Sequence, residues 1–284
     1  MTPKPRTSFL LDRKKRLSAR RKAVTVGIAF LGTDEIVIAS DTQITYPQNH
    51  KYYESKIFRY AFPGGVMGLT YSGNPSLAKM FDGKLAASLK IFTAISGSQQ
   101  IQDLIETVLS LMDVLDSDPD GLFTLCGIAL ESGELRLVKT DRKAVSAVSK
   151  FDYIGVGDSS LVRFLTPLVT STHSYTREQA INLAVGLVLQ AKRYVDGCGG
   201  DTETIVLSKL GTLTDTRGPF WQEKYFHQLE HFLRVAFTDF FNSARSEEEF
   251  EDSLRRLTDG MRQLRKELNP VKMSTLLGRQ SLKS

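Results

Sequence analysis

A run of lysines and arginines breaks off at RKAVTVGIAFLGTDEIVIASD, residues 21–41. Two apolar segments follow, divided by a GTDE turn. The first opens around Thr25 and the second closes on Ser40 and Asp41. A threonine hydroxyl is a weak nucleophile until a base takes its proton. A carboxylate can hold an ammonium in place and keep it charged. Such groups lie close together here: Thr25, Asp41 and, in YYESKIF, Lys56. Each also has an ordinary structural use. Threonine is common in strands, aspartate caps turns, and lysine is usually a surface residue.

Other chemistries find little support. Cys126 and Cys198 are the only cysteines, too few for a disulfide framework or a zinc site. They read as free thiols in a reducing compartment, which with the absence of a secretory signal predicts a cytoplasmic protein. His50, His173, His227 and His231 show no ligand spacing; His227 and His231 stand four apart but lack a third ligand. No metal and no cofactor is expected. No apolar run reaches the ~18 residues of a membrane span.

The positioning elements follow from periodicity. VTVGIAFL and EIVIASD read as strands across a turn with Gly32 and Asp34, and GGVMGLTYSG as a third. SLAKMFDGKLAASLKIF and SQQIQDLIETVLSLMDVL carry helical spacing. LFTLCGIAL and ELRLVKT form a hairpin, and FDYIGVGD is a strand ending in a Gly-rich turn. TREQAINLAVGLVLQAKRYV is a helix with Thr176 as N-cap, and TETIVLSKL and its sequel return to strand. Strand blocks separated by helices predict an α+β fold, two antiparallel sheets packed together with helices outside.

The composition changes at both ends. Residues 1–24 hold nine basic side chains against Asp12 alone; the rest of the chain carries 28 basic and 31 acidic, so the net charge of +5 belongs to the tail. The tail, 1–23, is Arg-rich and acid-poor, fitting a solvated segment, a propeptide or a transit peptide. Its residues 4–22 could also give weak, salt-dependent contact with nucleic acid. Beyond residue 215 the chain reads as a helical extension, 216–284. Phe226, Leu229, Leu233, Ala236 and Phe240 form an apolar stripe that reads as packing against the body or a partner subunit. Ser246 and Glu249 fit a capping box opening a second helix.

TVGIAFLGTDEIVIASD, YYESKIF, LTYSGN, YIGVGD and GCGG, in that order, resemble the proteasome β-subunit family of N-terminal nucleophile (Ntn) hydrolases, especially its compact bacterial members. The resemblance covers about residues 24–210. It implies a four-layer αββα sandwich over 24–215, and a threonine-type peptidase acting on peptide or unfolded protein. It also implies a homo-oligomer, a ring or a helical assembly. In that family the mature chain begins at the catalytic threonine, followed by an acid and a lysine. Counted from Thr25, the acid falls on Asp41 without a gap and the lysine on Lys56 to within about a residue. A rival register would set the start at Ala23, with no nucleophile and a longer turn.

The resemblance assigns further roles. The threonine's own α-amine is the base, Lys56 favours its neutral form, and Asp41 holds Lys56. Gly73 matches the residue whose backbone N–H receives the oxyanion, and Asp196 the family's second aspartate. Two positions depart from the pattern: Val24 stands where glycine usually precedes the cut, and Val156 where a serine is common, near Asp158. Val24 keeps a second reading open, a non-catalytic scaffold subunit that retains its tail.

Overall fold

The computed structural model describes residues 25–45, 51–91, 97–112, 121–155, 175–217 and 246–267, with residues 95, 114, 226–228, 230, 231 and 234. The tail with Ala23 and Val24, Val156, Asp158, His50 and His173 lie outside the described residues. So do Leu229, Leu233, Ala236 and Phe240.

Two five-stranded antiparallel sheets form the centre. Sheet I has the order β10(Phe151–Gly155), β1(Val26–Leu31), β2(Glu35–Asp41), β11(Thr202–Ser208), β12(Leu213–Arg217). Sheet II runs β5(Ile57–Phe62), β6(Gly65–Gly73), β7(Leu122–Leu130), β8(Leu135–Asp141), β9(Ala144–Val148). A small hairpin, β3(Gln43–Thr45) and β4(Lys51–Tyr53), leads from one sheet to the other.

Alternation along the strands divides the core into three layers. On β1, Val26, Ile28 and Phe30 face helix α3(Arg177–Tyr194), packing on Ala184, Val185 and Val188. On β6, Met67, Leu69 and Tyr71 face α1(Pro75–Leu89) and α2(Ser98–Ser110), packing on Phe81, Leu85 and Ile101. Ala29, Ile36, Ile38, Leu125, Ala129, Ile205 and Leu207 fill the space between the sheets. The order is helix, sheet, sheet, helix: the four-layer sandwich expected from the sequence.

The helices begin where their caps allow. Asn74 accepts from the N–H groups of Ser76 and Leu77 at the start of α1, with Pro75 in the first turn. Thr176 and Gln179 form a reciprocal capping box on α3. On α2 the cap comes from elsewhere: Glu134, in the turn before β8, accepts from both the N–H and the hydroxyl of buried Ser98. Those two bonds hold its carboxyl below the usual glutamate range. The last helix, α4(Glu247–Glu267), opens on the expected box between Ser246 and Glu249. Of the stripe before it, Phe226 packs against Gly186 on α3; Glu230, outside the stripe, pairs with Arg193 of α3.

The sheets approach closely because small residues meet between them. Gly68 and Gly127 are cross-strand partners on the inner face of sheet II. A Cβ on Gly68 would collide with Ile205, and one on Gly127 would lie 2.7 Å from Leu207 and 2.9 Å from Ile36. Gly68→Val should therefore destabilise the fold by about 1–3 kcal/mol through overpacking. Gly83 on α1 has nothing within 4 Å of the same added atom. Gly83→Ala should stabilise by about 0.5–1 kcal/mol through helix propensity. Opposite shifts of the urea midpoint check the pair.

Candidate active site

Five segments end at one edge of the sandwich. Thr25 immediately precedes β1, Asp41 closes β2, Lys56 immediately precedes β5, Gly73 closes β6 and Gly155 closes β10. Val26 pairs with Gly155 across the sheet, which fixes Thr25 beside the end of β10. Gly155 has φ +74, and a Cβ there would collide with the Thr25 carbonyl and with Ser72 Oγ. Only a residue without a side chain lets these two strand ends meet this closely.

The polar groups form one connected set. Lys56 Nζ donates to Thr25 Oγ1 at 2.9 Å and to Asp41 Oδ1 at 2.9 Å. Asp41 Oδ1 also accepts from the N–H of Val26 at 3.1 Å, and Oδ2 from the N–H of Gly199 at 3.1 Å. Ser40 Oγ donates to the carbonyl of Val26 at 3.0 Å, tying β2 to β1 beside them. The Lys56 and Asp41 side chains are both 0% exposed, and Thr25 is buried.

Burial pulls the Lys56 ammonium below the usual lysine range, and the Asp41 carboxylate opposes that shift. The approach of Lys56 is set by its neighbour: Ser55 Oγ donates to Glu203 on β11 at 2.6 Å and accepts from the N–H of Ile57. The turn between α3 and β11 is fastened to the end of β2. Gln43 N–H donates to the Gly199 carbonyl at 3.0 Å, and Thr42 N–H to that of Asp201 at 3.1 Å. Cys198 lies in this turn, and burial pushes its thiol upward, away from the reactive thiolate.

Thr25, Asp41 and Lys56, singled out in the sequence, are thus brought together, with Lys56 bonded to both of the others. Gly73 ends β6 at φ +104, next to Ser72 and just before the N-cap of α1. Asp196 is not brought in: it is exposed in the α3–β11 turn, and the described bonds of Thr25, Asp41 and Lys56 do not include it. The turn acts on Asp41 through the backbone of Gly199 instead. Gly199 and Gly155 lie within the quoted GCGG and YIGVGD motifs, whose glycines were the only available signal for them. Among the described residues no three His, Cys, Asp or Glu side chains cluster as metal ligands, and no described helix is long and apolar enough to cross a membrane.

No family model matches the chain, and no curated protein matches it in sequence. Solved structures do match. The Gly-1 mutant of Anbu from Hyphomicrobium sp. strain MC1 superposes with a TM-score of 0.67 at 14% identity, over 76% of this chain and 99% of its own. Anbu, described as an ancestral beta-subunit, from Yersinia bercovieri gives 0.65 at 14% identity, over 78% and 100%. The Anbu complex from Pseudomonas aeruginosa, solved as a helical assembly, gives 0.64 at 15% identity, over 78% and 99%.

The chain has the proteasome-like Ntn-hydrolase fold. In that fold the contacts of Lys56 fall at the head of the first strand of sheet I, where Thr25 stands.

Removing one member of a buried pair leaves the other charge uncompensated. Lys56→Met should cost about 3–5 kcal/mol, whereas Asp41→Asn combined with Lys56→Met should recover part of that loss. Chemical denaturation of the two single variants and the double variant measures the coupling; additive losses would contradict it.

Proposed function

We propose that this protein is a threonine-nucleophile peptidase of the proteasome type, active once residues 1–24 have been removed. The observation that carries this is the Lys56 ammonium, buried, paired with Asp41 and donating to Thr25 Oγ1. In the intact chain the nitrogen of Thr25 belongs to a peptide bond and cannot act as a base. Cleavage between Val24 and Thr25 converts it into an α-amine.

That amine takes the hydroxyl proton as Oγ1 attacks the scissile carbonyl. The oxyanion of the tetrahedral intermediate receives the backbone N–H of Gly73. Collapse expels the leaving amine, which takes the proton from the α-ammonium, and leaves an ester on Thr25. Water, deprotonated by the same amine, then cleaves the ester and restores the hydroxyl. Lys56 works electrostatically: its charge steadies the developing alkoxide and disfavours protonation of the adjacent amine. Asp41 is a positioning residue, since it reaches the hydroxyl only through Lys56. Asp196 has no part in these steps. The Anbu neighbours, one of them solved as a helical assembly, support a homo-oligomer of this chain around its sites.

A second reading has one observation in its favour. Val24 is β-branched, and its stiff side chain resists the backbone distortion that self-cleavage needs. A chain that keeps its tail would be a scaffold subunit with a dormant site.

A chain released with Thr25 as its first residue separates the two readings. It should hydrolyse fluorogenic peptides, with turnover rising with pH as the amine loses its proton. The midpoint should fall below the ordinary α-amine value of about 7.7–8.0, because the Lys56 ammonium lies alongside. Thr25→Ala should lower turnover by about three orders of magnitude or more. Equal rates for the two chains would leave the scaffold reading.

A further inference from the structure

Helix α4 carries an apolar seam with one open side. Phe250, Leu254, Leu257, Met261 and Leu264 recur at alternating spacings of four and three, the period of a two-helix seam. Leu264 is buried, and Phe250 and Leu257 are half-buried, so one side of the seam is covered. Leu254 and Met261, which line the other side, are 37% and 44% exposed.

Charge is sorted along the same helix. Glu247, Glu248, Glu249, Glu251 and Asp252 occupy its first turns, and Arg255, Arg256, Arg262, Arg265 and Lys266 dominate the remainder over two acids, Asp259 and Glu267; the ten residues named first are all exposed. Arg255 pairs with Asp252 and Arg262 with Asp259 inside the helix. Among the described residues Glu251, Arg265 and Lys266 make no ion pair. The helix dipole favours this polarity only in the first and last turn. Glu251, Asp252, Arg255 and Arg256 lie beyond its reach.

We infer that the open side of α4 docks against α4 of a second copy of this chain, in antiparallel orientation. A second copy presents the same apolar spacing. Antiparallel pairing sets the acidic half of each helix against the basic half of the other and closes Leu254 and Met261 against apolar partners. Parallel pairing would set like charges face to face. An anionic ligand such as nucleic acid would meet five carboxylates at one end of the surface. The contact belongs to the helical extension and is independent of the chemistry proposed for Thr25.

The test uses the full chain with Glu251→Cys in one preparation and Arg265→Cys in another, treated with a short bis-maleimide linker. The native thiols of Cys126 and Cys198 are buried and contribute little background. Unchanged melting temperatures for both variants show that these exposed positions tolerate the change. The expected result is a cross-linked dimer, formed efficiently when the two preparations are mixed and carrying one 251–265 link between chains. It should be lost when both carry Leu254→Asp with Met261→Asp. Dimers joined through position 251 in both chains would mean parallel pairing and overturn the inference. No cross-link at any concentration would mean that another partner, or none, covers the seam, and would overturn it equally.

Discussion

The site depends on keeping an ammonium charged where water does not reach. An unpaired buried charge costs several kcal/mol, more than one hydroxyl could offset. Lys56 therefore needs Asp41, and Asp41 in turn draws on the N–H groups of Val26 and Gly199. One carboxylate thus gathers the head of β1, the end of β2, the approach to β5 and the turn before β11. A buried ion pair is a weak source of net stability compared with apolar side chains of similar volume. Its presence here is better understood through what it holds: a cation hydrogen-bonded to a threonine hydroxyl.

The sandwich supplies the rigidity this needs. Strands of both sheets end at the same edge, and the small residues between the sheets set their spacing. The glycines at the edge do different work. Gly155 lets the end of β10 rest against the carbonyl of Thr25, and Gly199 turns its N–H toward Asp41. Neither contributes a side chain; at Gly155 a bulkier residue would strike the backbone of Thr25, whereas Gly199 acts through its N–H alone.

Much of this was legible in the sequence. The strands around GTDE and the one before ESG are apolar runs bounded by turn residues, nearly all buried, and the boxes at Thr176 and Ser246 are local chemistry, so the helix starts follow from neighbouring residues. β3 and β4 were missed because each is only three residues long. β9 was missed because AVSAV is mostly exposed and lacks a strong apolar face. β5 carries its signal in IFRYAF: Phe58, Tyr60 and Phe62 alternate toward the helices, while Ile57 turns toward the other sheet. At the site, Asp41 and Lys56 could be counted from Thr25. Asp196 follows only from its resemblance to the family's second aspartate; the group of this turn that reaches Asp41 is the backbone N–H of Gly199, which residue types do not reveal. Which group of a turn points inward is decided by tertiary geometry.

Whether Thr25 becomes the first residue of the working protein, as proposed, is read from the intact mass of the purified, untagged chain. The expected mass lacks residues 1–24, with threonine at the N-terminus. A mass for all 284 residues, persisting over days in the assembled state, would contradict it: the Lys56–Asp41 pair would then hold a hydroxyl that has no base.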